Sequence, residues 1–138
     1  MSIIISRKFV IFLVLSILVL AGLIVGYWLF SSHDQRALRD LERLADMRQI
    51  QAEFEMIYVQ ENTYQSLADL GCIEGKRLAD CRLYSYIPEI DMIQDPGEYS
   101  YFIKETPSKN GYVISFTLEG EIQDFSLGEH FLTPVGIE

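Results

Sequence analysis

Cys72 and Cys81 are the only cysteines of the chain, and His33 and His130 its only histidines. Two thiols in one polar loop have three chemistries open to them: a disulfide, a pair of free buried thiols, or half of a zinc site. Structural zinc takes four Cys or His ligands, usually from closely spaced pairs, and the chain has no close cysteine pair. An even cysteine count reads as a disulfide if the domain is exported. Closing a loop of about ten residues would then stabilise the fold by roughly 2–3 kcal/mol in the chain-entropy account. Asp91, Asp95, Asp124 and Glu129 gather in the C-terminal third. Calcium needs six to eight convergent oxygens, and no Asp-x-Asp spacing supplies them, so neither a metal nor a cofactor is expected. Both histidines read as surface residues. There is no phosphate loop, dinucleotide fingerprint, nucleophile elbow or His-Glu-x-x-His. The expectation is a protein without catalytic residues.

Charge narrows the partners. The 138 residues hold 11 Lys+Arg and 20 Asp+Glu, a net charge of −9. Only Arg7 and Lys8 precede Ser31, so the remainder carries the whole acidic excess. Such a surface repels phosphate backbones, which excludes nucleic acid as an expected partner.

These residues need elements to position them. From Phe9 to Phe30, "FVIFLVLSILVLAGLIVGYWLF" runs 22 residues without a charge. A bilayer's hydrocarbon core takes about 20 apolar residues in a helix. The stretch is too long for a cleaved signal, and its small pair Ala21-Gly22 lies in the middle. The sequence therefore predicts a transmembrane helix over 9–30, contacting the lipid bilayer, with a basic tail over 1–8 inside and residues 31–138 outside. Tyr27, Trp28 and Phe30 would form an interfacial belt. Gly22 and Gly26 are a small-xxx-small pair suited to helix–helix contact.

Beyond Ser31 the pattern turns amphipathic. Leu38, Leu41, Leu44/Ala45, Met47, Phe54, Ile57 and Tyr58 recur mostly at spacings of three and four. Arg36–Asp40, Arg39–Glu42 and Arg43–Asp46 stand where helical side chains meet. No proline precedes Pro88, and no glycine lies between Gly26 and Gly71. One helix from about Phe9 to Glu61, ~80 Å long, follows, its segment 34–61 belonging to the head. Asn62 and Thr63 end it, a short helical turn stops at Gly71, and a cysteine loop spans 71–98. Then the period becomes two. Strands are expected at 99–105, 112–119 and 121–127, turning at Asn110-Gly111 and Glu119-Gly120, with a tail over 128–138. Tyr112, Ile114, Phe116 and Leu118 share one strand face. That face and the helical stripe of Leu41, Phe54 and Ile57 each need cover. The predicted fold is α+β: a long N-terminal helix, transmembrane half plus amphipathic half, packed on a small three-stranded antiparallel sheet.

The order of these pieces resembles the type IV pilin and type II secretion pseudopilin superfamily. Tyr64, Ser66, Leu67 and Leu70 match its Tyr and Ser-Leu-x-x-Leu turn, with Gln65 where proline is usual. Pro88, Asp95, Pro96, Tyr99 and Tyr101 match the stretch leading into its sheet. The resemblance implies a structural, membrane-anchored subunit of a type IV filament or type II secretion-type assembly. Its partners would be other pilin-like subunits or assembly-platform proteins, and its place the bacterial inner membrane. The family's precursors carry a glycine ahead of Phe and a glutamate shortly after it; here Lys8 and Leu13 stand there. That departure implies an uncut N-terminus and a minor or accessory role. The rival reading is a non-polymerising single-pass protein whose exported head binds a partner.

Overall fold

The computed structural model describes residues 7–138, and the side chains of 11–27 and 35–138. Two compact units divide at Gln35/Arg36. The helix α1 spans Arg7–Glu61 and belongs to both.

In the first unit the described side chains from Ile11 to Tyr27 are apolar and exposed nearly all round, Ser16 excepted. Among the described residues no helix is long and apolar enough to cross a membrane. This overturns the span expected over 9–30, and with it the single-pass inner-membrane placement. The uncharged stretch with described side chains is 11–27. At 1.5 Å per residue it reaches about 26 Å, against a hydrocarbon core of about 30 Å. Residues 1–6 of the expected tail, and the side chains of the belt residues Trp28 and Phe30 and of His33, lie outside what the structure describes.

In the second unit α1 ends at Glu61. Asn62 takes a left-handed φ of 55°, and its N–H still reaches the Tyr58 carbonyl at 2.8 Å, a termination that asparagine tolerates. A five-residue helix α2, Gln65–Asp69, follows, and Gly71 at φ 91° turns the chain out of it. The region 71–98 is more than a loop. It contributes Leu78, Leu83, Ile87, Ile90 and Ile93 to the core, each nearly free of solvent. The disulfide Cys72–Cys81 closes its first part, with both cysteines buried and Cα atoms 5.1 Å apart.

The sheet has four antiparallel strands in the order β1 Phe102–Glu105, β2 Val113–Leu118, β3 Gly128–Thr133 and β4 Gly136–Ile137. The expected three-stranded sheet is corrected at its third member. Residues 121–127 fold as a tight turn, with Ile122 and Phe125 exchanging backbone hydrogen bonds of 3.0 Å and Gln123 at φ 52°. The strand pairing with β2 lies instead in the expected tail, in the register Phe116↔His130 and Ile114↔Leu132. His130 fills an inward position, which hid the alternation: a polar letter sits where the period wants an apolar one. The outer edge of β1 is covered by residues 75–78. Gly75 N–H donates to Ile103 O, and Ile103 N–H to Lys76 O, both at 2.8 Å, so no free ladder remains there.

One core joins α1 to the sheet. Phe54, Ile57, Tyr112, Ile114, Phe116 and Leu118 are buried in it. Leu41 is not: it is 46% exposed. The buried stripe of α1 is Leu44, Met47, Ile50, Phe54 and Ile57, and Leu41 lies off that line. Phe54 meets the Tyr112 ring edge-on at 4.9 Å, and Tyr112 meets Tyr64 at 5.0 Å. Phe54→Ala is therefore expected to cost about 3–5 kcal/mol, and Leu41→Ala within about 1 kcal/mol. Chemical denaturation of the two variants checks the contrast.

Candidate functional site

About three to four turns N-terminal to Phe54, α1 buries charge rather than hydrocarbon. Asp40 and Arg43 lie on the core-facing side, 1% and 0% exposed, three residues apart and so on one helical face. Arg43 spends every nitrogen. Its Nε and Nη2 donate to the two carboxylate oxygens of Asp95 at 2.6 and 2.9 Å. Its Nη1 donates to Asp40 at 2.7 Å and lies 2.8 Å from Glu119 Oε1. The guanidinium stands 5.2 Å from the centroid of the Tyr99 ring, within cation–π range.

Each carboxylate is held in turn. Asp40 accepts the Glu119 backbone N–H at 2.9 and 3.1 Å, fastening the end of β2 to α1. Glu119 takes a two-pronged grip from Arg39. Asp95 accepts N–H groups of Gly97 at 2.8 Å and Tyr99 at 3.3 Å, which folds "DPGEY" around its own side chain. Gly97 is needed for space: a Cβ there would stand 2.8 Å from Arg43 Nη2, and that buried group has nowhere to move. Below the network Tyr101 donates its hydroxyl to Asp46 at 2.7 Å.

The network shifts protonation in definite directions. The hydrogen bonds from Arg39 lead in holding Glu119 down at about 2. Burial pushes Asp95 up, but Arg43 and the N–H groups of Gly97 and Tyr99 outweigh it and leave it lowered. Burial opposes charge on Arg43 as well, and its three carboxylates overcome that and raise it. Asp46 is raised, chiefly by burial.

Three clefts meet at Tyr99, which lines all of them. One of about 340 Å³ lies beside Arg77, Gln94 and Asp95. Another, about 400 Å³, lies beside Arg36, Arg39 and Glu119. A third, about 340 Å³, opens onto Ser115 and Thr117 of the sheet.

The expected site residues are thus scattered. Cys72 and Cys81 are bonded. Gly22 and Gly26 sit on α1 with nothing within 4 Å of where a Cβ would be. His130 is buried rather than superficial, its ring nitrogens 2.7 and 3.2 Å from the oxygens of Ser126 and Glu138. Of the acids weighed for calcium, Asp95 serves Arg43, Asp91 accepts from the Tyr84 hydroxyl, and Glu129 pairs with Lys104. The network itself escaped the sequence reading, which paired Arg39 and Arg43 with helix neighbours. One signal was there: Asp40 and Arg43 continue the apolar spacing of Leu44, Met47 and Ile50. Comparison with protein-family models, curated proteins and solved structures found no match to the chain.

Arg43→Met is expected to destabilise the fold by about 3–5 kcal/mol, because it strands Asp40 and Asp95 in a dry site. Arg43→Lys should recover little, since an ammonium lacks the fork that grips Asp95; equilibrium unfolding measures both. The folded values of Glu119 and Asp95 lie below the unfolded ones, near 4, so their stabilisation is present above that pH. It drains as pH falls from about 5 toward about 2. Asp46, raised, has the opposite sign and softens the loss. Melting temperature should drop across that window in the native chain and drop less steeply in Glu119→Gln.

Proposed function

We propose that the chain is a structural, pilin-like or pseudopilin-like subunit of minor or accessory type, which assembles by packing α1 laterally against α1 of other subunits. The observation that carries this reading is the surface of α1 between Ile11 and Tyr27. Eleven positions, Phe12, Leu18, Leu23 and Val25 among them, are each more than half exposed. A helix apolar on all sides needs cover on all sides, and packing among like helices supplies it. Gly22 and Gly26 would let two backbones come close there. The second unit supports the reading less directly, through a helix packed on an antiparallel meander and the turn residues Tyr64 and Leu67, both buried. The Lys8 and Leu13 substitutions favour an accessory place over a principal one.

Photo-crosslinking side chains at positions 12, 18 and 25 test this. The expected product is a ladder of dimers and higher species from all three positions. Gly22→Leu, at a position where an added Cβ has nothing within 4 Å, should thin the ladder without changing the melting temperature. Monomer alone at every position would refute lateral assembly.

A further inference from the structure

Asn110-Gly111 reads as a hairpin dipeptide, yet the hairpin between β1 and β2 does not use it as one. A tight turn of that kind holds both residues at positive φ, and neither Asn110 nor Gly111 is left-handed here. The connection is a longer loop, with Pro107 buried and Ser108, Lys109 and Asn110 exposed. Space does not call for glycine either, since a Cβ at Gly111 would have nothing within 4 Å. What glycine leaves bare at this position is its own backbone nitrogen.

That nitrogen stands beside a free carboxamide. The loop is pinned on both sides: Ser108 N–H donates to Gly111 O at 2.9 Å, and Tyr64 N–H reaches Lys109 O at 3.4 Å. Between these anchors, neither the Asn110 side chain nor the Gly111 N–H bonds to any group among the described residues. Asparagine is a thermolabile residue, because its side-chain carbonyl carbon can close a five-membered ring with the nitrogen of the next residue. A side chain on that next residue crowds the approach. Asn62, the only other asparagine, supplies the contrast within the chain. It precedes the β-branched Thr63, and its φ of 55° and its N–H bond to Tyr58 O hold it at the end of α1.

We propose that Asn110 is a site of spontaneous deamidation. The Gly111 nitrogen gives up its proton to hydroxide and attacks Cγ of Asn110. The side-chain nitrogen leaves as ammonia, and a succinimide remains. Water then opens the ring at either carbonyl. Opening at the former side chain gives aspartate; opening at the former main chain gives isoaspartate, whose backbone is one carbon longer. Either product adds a carboxylate at the tip of the hairpin. Isoaspartate also lengthens the path into Tyr112, which is buried against Phe54 and Tyr64, so it loosens that end of the core. The site does not depend on lateral assembly through α1.

The test is to incubate the purified full chain at mildly alkaline pH in water enriched in heavy oxygen, digest it in ordinary water and follow the peptides by mass spectrometry. The peptide holding Asn110 is expected to gain a heavy oxygen and to separate into aspartate and isoaspartate forms. Conversion should quicken as pH rises, while the peptide holding Asn62 stays unchanged. Gly111→Ala should lose most of the product at an unchanged melting temperature, since alanine meets neither strain nor contact there. The isolated isoaspartate form should melt below Asn110→Asp. An Asn110 that stays intact in the folded chain, an Asn62 that converts as fast, or undiminished conversion in Gly111→Ala would overturn the site. Equal melting of the isoaspartate form and Asn110→Asp would overturn the loosening.

Discussion

A guanidinium removed from water must have its N–H groups taken, or its burial costs several kcal/mol. Arg43 meets that requirement with three carboxylates drawn from three parts of the chain: α1, the Asp95-Pro96-Gly97 turn and the end of β2. The same groups are tied further by the Glu119 N–H on Asp40 and the Gly97 and Tyr99 N–H groups on Asp95. Hydrocarbon tolerates sliding, but two-pronged bonds to a fixed fork do not. The network therefore sets how far along α1 the sheet docks, and it sets the path of the chain into β1.

The opposite end of the shared core is organised differently. There the rings of Phe54, Tyr58, Tyr64 and Tyr112 stack or meet edge to face, and the Tyr64 hydroxyl donates to Glu55. The Tyr64 N–H reaches Lys109 O, joining the start of α2 to the hairpin between β1 and β2. Area supplies the cohesion at this end, geometry at the other. Between them the disulfide and the segment 75–78 close the flank, so a region rich in polar letters delivers five buried aliphatic side chains to the core. Tyr99 links the network to the surface: one side of its ring meets Arg43, and its remaining surface lines the clefts. Members of the charge cluster themselves reach those clefts: Asp95 lines one, and Arg39 and Glu119 another.

Much of this was legible along the chain. Helical spacing and the absence of glycine and proline carry α1 to Glu61, and Asn62 and Gly71 mark turns because each must adopt a positive φ. Alternation over 112–118 identifies the inward row Tyr112, Ile114, Phe116 and Leu118, and an even cysteine count anticipates Cys72–Cys81. Such signals are local. Neighbours three, four or two residues apart are placed by backbone geometry alone, whatever the rest of the chain does. Only the tertiary structure decided which strand borders β2, since His130 can fill a core position once its ring nitrogens find the Ser126 and Glu138 oxygens. It also decided that Leu41 faces water while Arg43 does not. Arg43 meets Asp95 across 52 residues, and Arg39 meets Glu119 across 80. No periodicity encodes a partner at that distance, because a buried charge is stable only where the folded chain brings its counter-charges to it.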